Sequence, residues 1–155
     1  MSMLRDQRDQ LCAFNAENVE YLVVGGHAVN MHGVPRLTKG LNVFISSSEP
    51  NSERVFRALG RFGAPLAGYS AADFHGHEGD VFQIGVEPNR IDILQAIAGV
   101  DFEAAWQRRE MFEVDEGLTA AFLSFDDVMT NKLTAGRPQD IADAAHLTKV
   151  KKNRR

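Results

Sequence analysis

YLVVGGHAVNMHGVPRLTKGLNVFI, residues 21–45, is the stretch whose reading decides the fold. Four β-favouring residues (21–24) run into the pair Gly25-Gly26. A short segment of helical character follows at 27–32 and stops at Gly33 and Pro35. A second apolar run at 41–45 is interrupted only by Asn42, with Gly40 just before it. The spacing predicts a strand, a glycine turn, a short helix and a second strand. On that second strand the two-residue period puts positions 40 and 42 on one face. Glycines at a strand-to-helix turn let the backbone approach a ligand, and free N–H groups at the helix start favour an anion. A tight turn alone accounts for a glycine pair equally well.

Outward from this unit the pattern stays mixed. Residues 3–16 read as an amphipathic helix with Leu4, Leu11, Phe14 and partly Cys12 on its apolar stripe. Ser46-Ser47-Ser48-Glu49-Pro50 is a turn and cap cluster that opens a helix over 51–62, where Val55, Phe56, Leu59 and Phe62 have helical spacing. The glycine-rich segment 63–80 predicts a loop with one helical turn at 71–74. Strands follow at 81–86 and 90–94, joined by Glu87-Pro88-Asn89. Asp101 caps a short helix to 108, and 112–114 pairs with 118–123 around Asp115-Glu116-Gly117. Ser124 caps a helix over 125–135, and Arg137-Pro138 turns the chain into a last helix over 139–150. The expectation is one α/β (α+β) domain over residues 1–148. Its short mixed β-sheet is flanked by helices, helices form its C-terminal part, and a basic flexible tail covers 149–155.

Composition bounds the function. With 155 residues and 44% hydrophobic content, the chain can build one core. No apolar run reaches the roughly 18 residues a membrane span needs. The opening MSMLRDQRDQ has no apolar signal segment, so no membrane partner and a cytoplasmic location are expected. Cys12 is the only cysteine, which excludes an internal disulfide and a cysteine-based zinc site. On its helix it reads as a small buried hydrophobe. Net charge is -4, and the cations Lys149, Lys151, Lys152, Arg154 and Arg155 leave the body more acidic still. An acidic body argues against a broad nucleic-acid face. The basic tail reads as a solvated terminus or as a contact to RNA or an acidic partner.

Asp92 sits mid-strand in RIDIL, between Ile91 and Ile93. A carboxylate there is costly unless it is paired, ligating or at an exposed position. It is therefore either a surface residue on an edge strand or a site residue beside the 41–45 strand. Taken together, Gly25-Gly26, the thirteen residues 27–39, Gly40-Leu41-Asn42 and Asp92 resemble the signature of the DNA polymerase β-like nucleotidyltransferase superfamily. More narrowly, VGGHAVNMHGVPRLTK, VFQIGVEPNRIDIL, GVDFEAAW and FLSFDDVMTNKLTAGRPQDIADAAHL are similar to small bacterial minimal nucleotidyltransferase-like proteins. Those are related to the abortive-infection and toxin–antitoxin nucleotidyltransferases. The matching segments span most of residues 20–147.

The resemblance implies a nucleotidyltransferase fold that moves a nucleotidyl group from a nucleoside triphosphate to a hydroxyl of an RNA, tRNA, protein or small molecule. It further implies Mg²⁺ held by paired acids, and an antitoxin partner; separately, an apolar face on the terminal helices would support a homodimer. By position, Gly25 and Gly26 would face the triphosphate and Asp92 would be the third acid. Arg36 and Lys39 flank the presumed metal strand and would contact phosphate, with Arg90 and Arg137 as weaker candidates. Lys132 is either a phosphate counter-charge or an exposed helical lysine.

The chain departs from that pattern where it matters most. Carboxylates are expected at 40 and 42, and Gly40 and Asn42 stand there instead. Gly40 supplies no ligand and Asn42 only a neutral carbonyl, so Asp92 and Asn42 would hold Mg²⁺ weakly. A crippled enzyme, or a non-catalytic pseudoenzyme binding a nucleotide or a partner, is the resulting expectation. Other polar clusters read blandly. His75, His77, Glu78 and Asp80 form a solvated loop, and His27 and His32 are wrongly spaced for helical zinc binding. Ser46–Ser48 is a cap, Asp126, Asp127, Asp140 and Asp143 complement helix dipoles, and Trp106 with Phe102 anchors a helix.

Overall fold

The computed structural model describes residues 3–154. Helix α1 (Arg5–Ala16) ends where Asn18 takes a left-handed φ of 57°, a conformation asparagine tolerates better than most residues. The chain then enters β1 (Tyr21–Val24), buried at every position. Helix α2 (Gly25–Met31) carries it back into β2 (Gly40–Ile45), which runs antiparallel beside β1 with Val24 opposite Asn42. Helix α3 (Glu49–Phe62) opens on Ser48, whose Oγ accepts from the Asn51 amide at 3.3 Å. A 3-10 turn at Ala71–Phe74 precedes β3 (Val81–Ile84) and β4 (Arg90–Leu94). Then come α4 (Phe102–Gln107), β5 (Glu110–Asp115), β6 (Leu118–Phe122), α5 (Phe125–Ala135) and α6 (Pro138–Asn153).

The strands form one mixed sheet in the order β3-β4-β2-β1-β6-β5. β2 runs parallel to β4 and β1 parallel to β6, and the outer pairs β3–β4 and β5–β6 are antiparallel hairpins. This is the mixed α/β architecture that the alternating patterns predict. Leu11 and Phe14 of α1, Val55 and Leu59 of α3, and Leu22, Val43 and Ile93 of the sheet share one buried cluster. Burying each such side chain stabilises the fold by about 1.5–3 kcal/mol.

Several expectations need correction. The terminal basic run is not a free tail from residue 149. α6 continues to Asn153, where Lys151 and Lys152 complement the negative end of its dipole. Arg154 Nη2 then donates to the His32 carbonyl at 3.3 Å; Arg155 lies outside the described residues. Cys12 is exposed, because it lies about 100° round the helix from Leu11. The inward stripe of α1 is completed instead by Gln7 and Gln10. β4 lies inside the sheet between β3 and β2, so Asp92 is not on an edge strand. α2 begins at Gly25, two residues earlier than its apolar pattern suggests, and β3 stops at Ile84, two residues short of 86.

Candidate functional site

The register of the inner strands builds the site. Gly40 pairs with Arg90, Asn42 with Asp92 and Phe44 with Leu94, so these side chains share one sheet face. Gly40 and Asn42 are the half-buried positions of a strand otherwise buried from Leu41 to Ile45. Over this face opens a cleft of about 980 Å³. Its floor includes Val24, Gly25, Gly26, Gly40, Asn42 and Leu94. Residues 36–39 and 96–98 wall it on two sides, and α5 and the start of α6 close it with Asn131, Lys132, Ala135 and residues 137–140.

Glycine is required at two of these positions. Gly25 has φ +68°, and a Cβ there would lie 2.6 Å from Asn42 Nδ2. A Cβ on Gly40 would collide with the Arg90 backbone carbonyl on the neighbouring strand. The α2–β2 loop is held by Asn30, whose Nδ2 donates to Arg36 O at 2.8 Å and whose Oδ1 accepts from Arg36 N at 2.6 Å. His27 is buried beneath it with Nε2 3.3 Å from Thr38 Oγ1, and burial holds its pKa below the ordinary imidazole range. On the far wall Asn131 Nδ2 donates to Ala98 O at 3.0 Å and ties α5 to the segment after β4.

Five cationic side chains line the cleft: Arg36, Lys39, Arg90, Lys132 and Arg137. Four of them are anchored by carboxylates set beneath the surface. Asp143, 1% exposed, is 3.0 Å from Arg36 Nη1 and 3.1 Å from Lys132 Nζ. Asp140 is 3.2 Å from Lys132 Nζ and 2.7 Å from Arg137 Nε. Burial opposes ionisation of Asp140, but the bonds and charges of Arg137 and Lys132 outweigh it and hold its pKa below the ordinary range. Arg90 Nε lies 3.2 Å from Asp92 Oδ1, a contact of charge rather than of hydrogen-bond geometry. Burial raises the Asp92 pKa, and Arg90 acts against that rise. Lys39 is exposed and makes no ion pair with any described residue. Five cations against the four carboxylates that contact them, buried Asp92, Asp140 and Asp143 and exposed Glu87, leave the cleft with a small positive excess within an acidic chain, carried by Lys39.

The structure therefore brings Gly25, Gly26, Arg36, Lys39, Gly40, Asn42 and Lys132 to one cleft, with Arg90 and Arg137 beside them. Asp92 shares the face of Asn42 but lies buried next to Arg90, off the cleft surface. Lys132 is not an exposed helical lysine, being only 5% exposed and clamped by two aspartates. Asp140 and Asp143 do more than complement a dipole; sequence reading missed them as the anchors of the cleft. Their three-residue spacing puts both on one helix face, a signal that gains meaning only once Lys132 is known to face them. Asp127 likewise is buried and bound bidentately by Arg108, at 3.1 and 2.9 Å, whereas Asp126 stays exposed.

Elsewhere the bland readings stand. His75 Nδ1 meets the Ser47 carbonyl at 2.5 Å, the His77 ring lies 3.7 Å from the carboxylate of exposed Asp80, and the His77 amide donates to Gln95 Oε1 at 3.0 Å. Trp106 stacks on Phe102 with centroids 5.8 Å apart and carries the Arg109 guanidinium over its ring at 4.0 Å from the centroid.

The residues present do not fit a divalent cation. Position 40 has no side chain and no room for one, Asn42 is uncharged, and Asp92 Oδ1 already faces a guanidinium. Among the described residues no group of three or more His, Cys, Asp or Glu side chains is placed to hold a metal ion. No helix among them is long and apolar enough to cross a membrane. The chain matches no family model and no curated protein.

Proposed function

We propose that this is a nucleotidyltransferase-fold protein whose cleft binds a nucleoside triphosphate but does not transfer its nucleotidyl group. The observation that carries this reading is the ring of five cations around a glycine floor, four of them fixed by carboxylates set below the surface. Anchored guanidinium and ammonium groups present donors without losing much rotamer freedom, which favours a polyanion over a neutral ligand. The same chemistry speaks against transfer. Metal stabilisation of a reacting phosphoryl group is worth several kcal/mol, and the positions that would supply its carboxylates hold Gly40 and Asn42.

Calorimetric titration with ATP tests binding. Lys39→Glu places an acid at the exposed lysine and is expected to weaken the affinity by roughly tenfold or more, the weight of one charged phosphate contact. Incubation with each labelled triphosphate, magnesium and cell extract tests chemistry. No label should move above the background of Asp92→Asn; robust transfer by the unaltered chain that Asp92→Asn abolishes overturns the proposal.

A further inference from the structure

The candidate metal face of the cleft already contains a cation. Arg90 stands on β4 directly opposite Gly40 and next in line on its face to Asp92. Its guanidinium is held from two sides, by Asp92 Oδ1 at 3.2 Å and by Glu87 Oε1 at 3.3 Å. Its side chain is 28% exposed, and it lines the cleft. Among the described residues no acceptor is paired with Nη2, so donors of a fixed fork remain available to an oxyanion.

Gly40 belongs to the same arrangement. Because it has no Cβ, the two strands close until the Arg90 carbonyl occupies the space a side chain would need. A carboxylate at 40 and Arg90 in its present place are therefore mutually exclusive on this backbone. With Asn42 neutral, Asp92 and Glu87 are the carboxylates beside this face, and both already contact the Arg90 guanidinium, so neither is free to ligate a divalent ion. A magnesium ion entering here would meet a guanidinium and no free carboxylate, and it gains too little to offset its dehydration.

We infer that the cleft takes its nucleoside triphosphate in the metal-free form, with the Arg90 guanidinium standing in the place of the magnesium ion. This rests on the nucleotide-binding reading above and adds a condition to it. Metal-free ATP carries two more negative charges than its magnesium complex, and the cations Arg36, Lys39, Arg90, Lys132 and Arg137 are positioned to meet them.

The experiment is calorimetric titration of the full chain with ATP, once in EDTA and once in saturating magnesium. Binding is expected in EDTA, weakening about tenfold when magnesium is saturating, which corresponds to about 1.4 kcal/mol. Binding seen only with magnesium overturns this inference and leaves the nucleotide reading standing. Binding in neither condition removes the nucleotide reading itself. Arg90→Gln alone leaves buried Asp92 without its cationic partner and endangers the fold, so the paired variant Arg90→Gln/Asp92→Asn is used, with folding checked by circular dichroism. It should bind ATP in EDTA about tenfold more weakly. Unchanged affinity in a folded paired variant overturns the role given to Arg90.

Discussion

At position 40 the absence of a side chain is a packing requirement as well as a chemical loss. The Arg90 carbonyl occupies the space a Cβ would take, and a strand backbone cannot swing aside as a lysine tip can. Gly40→Asp is therefore expected to destabilise the protein by about 1–3 kcal/mol, the range for overpacking a fixed backbone, read from urea unfolding midpoints. Asn42→Asp is close to isosteric and should leave the β1–β2 spacing intact, giving a soluble, folded protein with native circular dichroism. Equal stability of Gly40→Asp and the parent would show that the strands part easily at this point. The importance of positions 40 and 42 is legible in the sequence from the strand period and the glycine pair upstream. The partnership of Arg90 with Asp92 is not, because it follows from the β2–β4 register, a pairing between segments some fifty residues apart.

Among the elements, the helices were largely readable because their ends carry local chemistry. Ser48 and Ser124 cap α3 and α5 with side-chain bonds, and Asp101 caps α4 through the Ala104 amide at 3.1 Å. What α5 and α6 do to each other was not readable. Their packing buries Lys132, Asp140 and Asp143 together, and a charge pattern on one helix does not reveal which face meets its neighbour. The network makes α6 the part that fixes three of the cleft cations, Arg36, Lys132 and Arg137. Removing Asp143 leaves buried Lys132 with Asp140 as its one remaining carboxylate and Arg36 with none among the described residues. Asp143→Ala should cost about 3–5 kcal/mol of stability, whereas Asp126→Ala on exposed α5 surface should change it by less than about 0.5 kcal/mol. Chemical denaturation of both variants checks the contrast; similar small losses would mean that the buried cluster contributes no more than a surface pair.

For the whole molecule, the cleft joins parts of the chain that fold from opposite ends: the β1–α2–β2 unit and the α5–α6 pair. Two titrating groups at this junction, one on each side, act in the same direction. The folded state holds the His27 pKa below its ordinary value, so the unfolded chain binds a proton more readily there. Stability from His27 is thus full above the ordinary imidazole pKa of about 6.5 and is lost as pH falls through its lowered folded value. Asp140 is also held low, so its contribution is present above the ordinary carboxylate range and disappears as acid protonates it. Asp92 acts oppositely, because burial raises its pKa and makes the charged form a cost that acid relieves from its raised value downward. Below the ordinary imidazole pKa of about 6.5 the loss on acidification is therefore the histidine's, and Asp92 opposes it. Urea midpoints measured across it should fall with acidification in the parent and fall less steeply in His27→Gln, which keeps a hydrogen-bonding group beside Thr38 without the titration. Parallel curves for the two proteins would move the source of the slope away from the floor of the cleft.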